Sequence, residues 1–325
     1  MFSAIQTEGL TKRFGDQVVL DGIDLDIAAG GVFALLGPNG AGKTTTVHIL
    51  ATLLRPESGV ARVGGHDVVR EPTAVRRLIG VTGQFSAVDN MLTGEENLQL
   101  MARLRHLPRA DGRKRVQDLL ERFELTDAAR KPLATYSGGM RRRLDLAMTL
   151  VDRPQIVFLD EPTSGLDPRS RAEMWEIVRE LVAAGTTILL TTQYLQEADE
   201  LASRIAVLDH GHIVAEGTPT ELKRLIPGGR IRLEFGDTQE LDAAAAIFRD
   251  ATRDEQALAL DVPSDGELTA LRAVLDRVDR EQLAARALTV HTPDLEDVFF
   301  ALTGRRGPDE TRTQMAGTPS KEAAR

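Results

Sequence analysis

Short apolar runs alternate with helical periods over most of the first 226 residues. "GGVFALLG" (30–37) predicts a strand and "KTTTVHILATLL" (43–54) a helix. "IVFLDEP" (156–162) predicts another strand, followed by the helix "RSRAEMWEIVRELVAAG" (169–185). Next come the strand "TTILLTT", a short helix, and the strand "RIAVLDHG" (204–211). Such alternation argues for a mostly parallel sheet covered by helices. Residues 95–126 and 139–151 read as helix with no strand between them, a helical insert in an α/β core. After "TPTELKRLIPGG" (218–229) the pattern changes. Strands at "RIRLEFGD", "ALALDV" and "RALTVHT" alternate with helices at "QELDAAAAIFRDA", "DGELTALRAVLDRV" and "DLEDVFFALTG", about 75 residues that form a small second domain. Residues 305–325 hold almost no large apolar side chains, so a disordered tail is expected there.

Composition narrows the class. With 325 residues, 42% hydrophobic and 27% charged, the chain reads as a soluble globular protein, long enough for one large domain or for a large and a small one. No run approaches the ~18 apolar residues that would span a bilayer. The opening "MFSAIQTEGLTKRFG" lacks a basic region followed by an apolar one, so no secretory signal is expected. The absence of cysteine excludes disulfides and thiol chemistry and fits a cytosolic setting. A net charge of −9 argues against a nucleic-acid partner. His48, His66, His106, His210, His212 and His291 show no ligand spacing, and none is assigned to a metal. The basic run Arg141–Arg143 reads as a solvated or salt-bridged helix face.

Three stretches carry chemistry. "GPNGAGKT" (37–44) follows a strand and opens a helix. In it the chain from Gly37 and Pro38 through Asn39, Gly40, Ala41 and Gly42 wraps an anion, with N–H groups from every residue but the proline free to point at it, and Lys43, Thr44 and Thr45 follow at the helix start. Lys43 reaches β- and γ-phosphates in such a loop, and the Thr44 hydroxyl binds Mg²⁺. "QIVFLDEP" ends an apolar strand in Asp160 and Glu161, at the sheet edge where α/β proteins bind ligands. Asp160 is expected to hold Mg²⁺ and Glu161 to polarise the attacking water as general base. "YSGGMRRRLDLAMTL" (136–150) offers Ser137, Gly138 and Gly139 as a second anion-ready helix start.

Together these stretches resemble the ATP-binding-cassette (ABC) ATPases, over residues 4–226. The resemblance departs at Tyr136 and Met140, which replace the leucine and glutamine of the usual LSGGQ signature. It implies an α/β fold: a P-loop ABC ATPase core with a helical subdomain at about 85–150, plus a small C-terminal α+β accessory domain at 227–304. It implies ATP and Mg²⁺ as ligands, with Gln84 touching the metal and the membrane partner, and Phe14 stacking on adenine unless it is an ordinary core residue. Asp167, in "EPTSGLDP", lies in the loop beyond the acidic pair. Two cassettes of this family pack head to tail, so a second copy is the expected partner, with each signature completing the other's phosphate site.

The stretch "TTQYLQEADE" places Gln193 where the family carries a switch histidine that senses the γ-phosphate. An amide can donate to a phosphate oxygen but cannot shuttle a proton. Gln193 is therefore expected to position the phosphate, the plainer alternative being a helix cap. With "DLEDVFFALTG", this departure makes the chain similar to the ATPase subunits of daunorubicin-resistance-type exporters. Those work at the cytoplasmic face of the membrane with a separate permease. Drug efflux is the implied role, with lipid export open; a soluble cassette of translation, repair or assembly is the alternative. Leu295 to Phe300 match that family's acidic–aromatic closing helix, whose phenylalanines read first as packing residues.

Overall fold

The structure is a computed structural model that describes residues 3–83, 88–225, 229–264 and 267–303. The described residues form two compact units, one running to Pro219 and one starting at Thr220.

The first unit holds two sheets. Six strands lie in the order His212–Gly217, Arg204–Asp209, Val32–Leu36, Thr187–Thr192, Ile156–Asp160, Ile79–Thr82. All neighbours are parallel except the first pair, an antiparallel hairpin at the edge. Val32–Leu36, Ile156–Asp160 and Thr187–Thr192 are buried at every position, as strands covered on both faces must be. The second sheet was not foreseen. Ser3–Phe14 and Gln17–Ala28 form a hairpin about a turn at Gly15 and Asp16, extended by Ser58–Val63 and His66–Asp67. Register shifts along the hairpin break its alternation, which is why no clean period of two marks it. Ile5, Leu10, Leu20 and Ile23 of this hairpin share one core with Leu35, Phe158, Leu189 and Leu208 of the larger sheet and Ile49 of the helix Lys43–Leu50.

The insert is helical as expected, but broken. Gly94–Leu104 starts at a capping box in which Thr93 and Glu96 exchange bonds. His106, at φ 57°, and Pro108 end that helix and begin Arg109–Arg122. Two short 3₁₀ turns then lead to Gly138–Thr149. Tyr136 is buried just before it and donates its hydroxyl to Ala128 O at 2.7 Å, so the residue that replaces the signature leucine ties that turn to the insert.

The second unit is a four-stranded antiparallel sheet, ordered Thr252–Asp254, Ala259–Pro263, Arg230–Glu234, Ala287–His291. The helices Thr238–Ile247 and Leu268–Arg280 give it the βαββαβ order of a split βαβ, ferredoxin-like fold, with Leu295–Thr303 closing. Thr252–Asp254 is a fourth strand beyond the three expected. It is short, polar and at the edge, and Asp254 is held there by Arg232 at 2.7 Å. Ile231 and Leu233 face the core with Leu241, Leu260 and Val262. The closing helix buries Leu295 and Val298 and leaves Phe299 and Phe300 half-buried, edge to face at 6.2 Å.

Candidate active site

Strand Val32–Leu36 runs into a loop that only glycine can build. A β-carbon on Gly37 would lie 2.2 Å from Leu208 O, and Gly42 caps the following helix at φ 112°. Gly37 N donates to Thr192 O at 3.2 Å, fastening the loop to the neighbouring strand. Lys43, only 5% exposed, donates from Nζ to Gly37 O at 2.8 Å and Pro38 O at 3.0 Å. Its ammonium lies 3.6 Å from Glu161 Oε1. Burial draws the Lys43 pKa down, opposed by Glu161 and Asp160.

The two acidic residues occupy different surroundings. Asp160 ends its strand fully buried, and its Oδ1 accepts from the Thr44 hydroxyl at 3.3 Å and from the Thr191 hydroxyl. Its Oδ2 has no hydrogen-bond partner among the described residues. A buried carboxylate oxygen left over beside a hydroxyl suits a hard cation such as Mg²⁺, which takes oxygen ligands and few protein groups. Glu161 departs from the strand with φ 47°, a left-handed conformation rare outside glycine. Its amide donates to Thr191 O at 3.1 Å and Thr191 Oγ1 at 3.2 Å. Thr191 thus joins the strand Thr187–Thr192 to both carboxylate residues; the only mark of this role in the sequence is a hydroxyl at the end of an apolar strand.

Gln193 does not cap the next helix. Tyr194 occupies that position without a side-chain bond, and Tyr194 N is taken by Thr192 Oγ1 at 2.9 Å. The amide is left at the mouth of the strand, half-buried. Phe14 is no core residue either: it is 50% exposed, with Lys12 Nζ 5.3 Å from its ring centre. Ser137 and Gly138 are exposed, and Ser137 accepts from Met140 N at 3.2 Å as the helix cap. Asp167 caps the helix Pro168–Ala183, accepting from Arg169 N and Ser170 N at 3.0 Å each. Gln84 lies outside the described residues, as does the tail from 305.

The basic run is not uniform. Arg143 pairs with Glu124 at 3.1 Å, as a salt-bridged face would. Arg142, in contrast, is half-buried against the acidic strand end, donating to Pro162 O at 2.8 Å, Asp160 O at 3.0 Å and Glu161 O at 3.1 Å. Glu197 is buried: its Oε1 accepts from the Thr163 hydroxyl at 2.7 Å and Trp175 Nε1 at 3.2 Å. Neither role shows in sequence, where one is the middle of three arginines and the other one of several helix acids.

A phosphate loop, a buried lysine and two carboxylates at one sheet edge define a P-loop ATPase, and the second glycine-rich helix start at Ser137 to Gly139 marks the ATP-binding-cassette class. The ABC transporter family profile matches residues 20–164. The chain is 50% identical over 97% of its length to a daunorubicin resistance ATP-binding protein of Streptomyces coeruleorubidus, covering 99% of that protein. It is 49% identical to the daunorubicin/doxorubicin resistance ATP-binding protein of Streptomyces peucetius, covering 96% of each. An ATP-binding cassette solved as a dimer in a post-hydrolysis state with ADP and Pi matches with TM-score 0.61 and 26% identity, over 66% of this chain and 98% of that one. The chain belongs to the ABC transporter family, among its ATP-binding subunits of the daunorubicin-resistance type, and is an ATPase.

Proposed function

We propose that this chain powers efflux of an antibiotic or similar amphiphilic compound through a separate membrane permease, working as a head-to-tail pair at the cytoplasmic face of the membrane. The observation that carries the reading is the convergence of Lys43, Thr44, Asp160 and Glu161 at one edge of the sheet, linked by Thr191. Lys43 binds the β- and γ-phosphates. Thr44 and Asp160 are the groups that would hold Mg²⁺, which supplies positive charge against the transferring phosphoryl group. Glu161 takes the proton of the attacking water, and Gln193 donates its amide N–H to a γ-phosphate oxygen. Ser137, Gly138 and Gly139 of a second copy close the site from the far side and exclude water. The relatives' names support the cargo class, and among the described residues no helix is long and apolar enough to cross a membrane, which fits a separate permease.

The test is affinity purification from detergent-solubilised host membranes with a Glu161→Gln bait. That chain should bind ATP and turn it over only at a slow residual rate, so the closed pair persists. Co-purification of a polytopic membrane protein is expected. A bait that brings down ribosomes, DNA or a soluble scaffold instead would show the engine read correctly and its task wrongly.

A further inference from the structure

Arg142 has five N–H groups, and all five are used. Nε donates to Pro162 O at 2.8 Å; one terminal nitrogen donates to Gly83 O at 3.0 Å and Asp145 Oδ2 at 3.4 Å; the other donates to Asp160 O at 3.0 Å and Glu161 O at 3.1 Å. The side chain rises from the helix Gly138–Thr149, which the signature opens, and ends on two other segments. One is the acidic strand's exit, at three consecutive carbonyls. The other is Gly83, the last described residue before Gln84. A buried Asp145, one turn along the same helix, balances the guanidinium charge. Such a fan of planar donors is a task for arginine; lysine offers three donors from a single point.

The consequence falls on Glu161. Its φ of 47° is a strained conformation that persists only where the surroundings fix it. Two anchors fix it here. Thr191 holds the amide on one side, and Arg142 holds the carbonyl on the other together with the carbonyls of both neighbours. Thr191 comes from the adjacent strand of the same sheet and moves with it. Arg142 comes from the helical insert, so it is the link through which the signature helix and the carboxylate geometry share one set of hydrogen bonds.

We propose that Arg142 is a positioning residue for hydrolysis: it fixes the strained backbone of Glu161 from the signature helix, so that the carboxylate stands where the attacking water is activated. The proposal rests on the reading of Glu161 as the base. Without the fan of donors the peptide after Glu161 relaxes, and the carboxylate swings away while Lys43 and the glycine loop keep their grip on the nucleotide.

The test is a double-mutant cycle on the full chain, with Arg142→Lys and Arg142→Met each made alone and with Glu161→Gln. Turnover, KM for Mg-ATP, single-turnover rate and thermal melting are measured. Arg142→Lys should lower kcat about tenfold or more with KM within about threefold, the split expected when ground-state binding is untouched. In the Glu161→Gln background the same change should alter the single-turnover rate by less than about twofold, because the two residues act as one unit. Arg143→Met, which touches the glutamates and not the strand end, should leave kcat within about twofold. The proposal is overturned if both Arg142 variants keep parental kcat. It is also overturned if the loss persists undiminished beside Glu161→Gln, or if KM rises while kcat holds. If neither variant melts cooperatively, the arginine is structural and the positioning role is rejected. A Glu161→Gln chain with parental kcat would instead reject Glu161 as the base, and the proposal with it.

Discussion

Gln193, at the mouth of the strand Thr187–Thr192, and Glu197, on the helix Leu195–Leu201 that follows, set separate terms of the site. Gln193 stands clear of the helix that follows, because Thr192 and Tyr194 close that turn without it. Its amide is therefore available to a phosphate oxygen, and one neutral hydrogen bond to a charged acceptor is a modest contribution. Gln193→Ala should lower kcat by about 10- to 100-fold with little change in ATP affinity, the share expected of about 1.5–3 kcal/mol lost in the transition state. Gln193→His should leave kcat within about tenfold; a rise of several orders of magnitude would mean the glutamine cripples the site. Glu197, four residues on, carries a pH-dependent term. Burial raises its pKa above the ordinary carboxylate value, against hydrogen bonding from Thr192, Thr163 and Trp175 and the nearby charge of Arg171. A carboxyl with a raised folded-state pKa holds its proton more tightly folded than unfolded, so its contribution is largest in acid and is lost as pH rises through that value. A Glu197→Gln chain cannot suffer that loss. Its melting temperature should gain on the parent as pH rises from the acid range toward neutral. A difference between the two chains that stays flat with pH would refute the buried-charge account.

At the scale of elements, what the sequence made legible divides by how strongly each segment is buried. Val32–Leu36, Ile156–Asp160 and Thr187–Thr192 stood out because strands covered on both faces read as unbroken apolar runs. The phosphate loop stood out because its glycines answer a local backbone demand, which spacing alone records. The N-terminal hairpin stayed hidden because its register shifts scramble the alternation that would announce it. Thr252–Asp254 stayed hidden because an exposed edge strand needs no apolar residue, only a partner and the Arg232–Asp254 pair. Residue roles followed the same rule. Lys43, Thr44, Asp160 and Glu161 sit in motifs whose spacing states their chemistry. Arg142 sits among identical neighbours, and only the direction in which the helix Gly138–Thr149 turns it inward separates it from Arg141 and Arg143.

At the scale of the whole molecule, the exposed signature poses a question that one chain cannot answer alone. Ser137 and Gly138 begin a helix of 12 residues, where unpaired N–H groups favour an anion, and yet the chain's phosphate loop begins a different helix. Two anion-ready ends on one chain make sense if each serves the other's partner in a two-fold pair. That arrangement has a consequence no self-contained site shares. Lys43→Ala disables the site built on a chain's own loop, while Ser137→Arg disables the site that the same chain completes in its partner. Each variant alone should lose ATPase activity. In a mixed pair both lesions fall in one site, and the other site is assembled from an intact loop and an intact signature. Equal mixing should therefore restore about a quarter of parental activity, since half the pairs are mixed and half the sites in each are whole. Coupled mixing and turnover assays read this directly. A mixture as inactive as its components would mean that each chain completes its own site, and the head-to-tail pair would have to be abandoned.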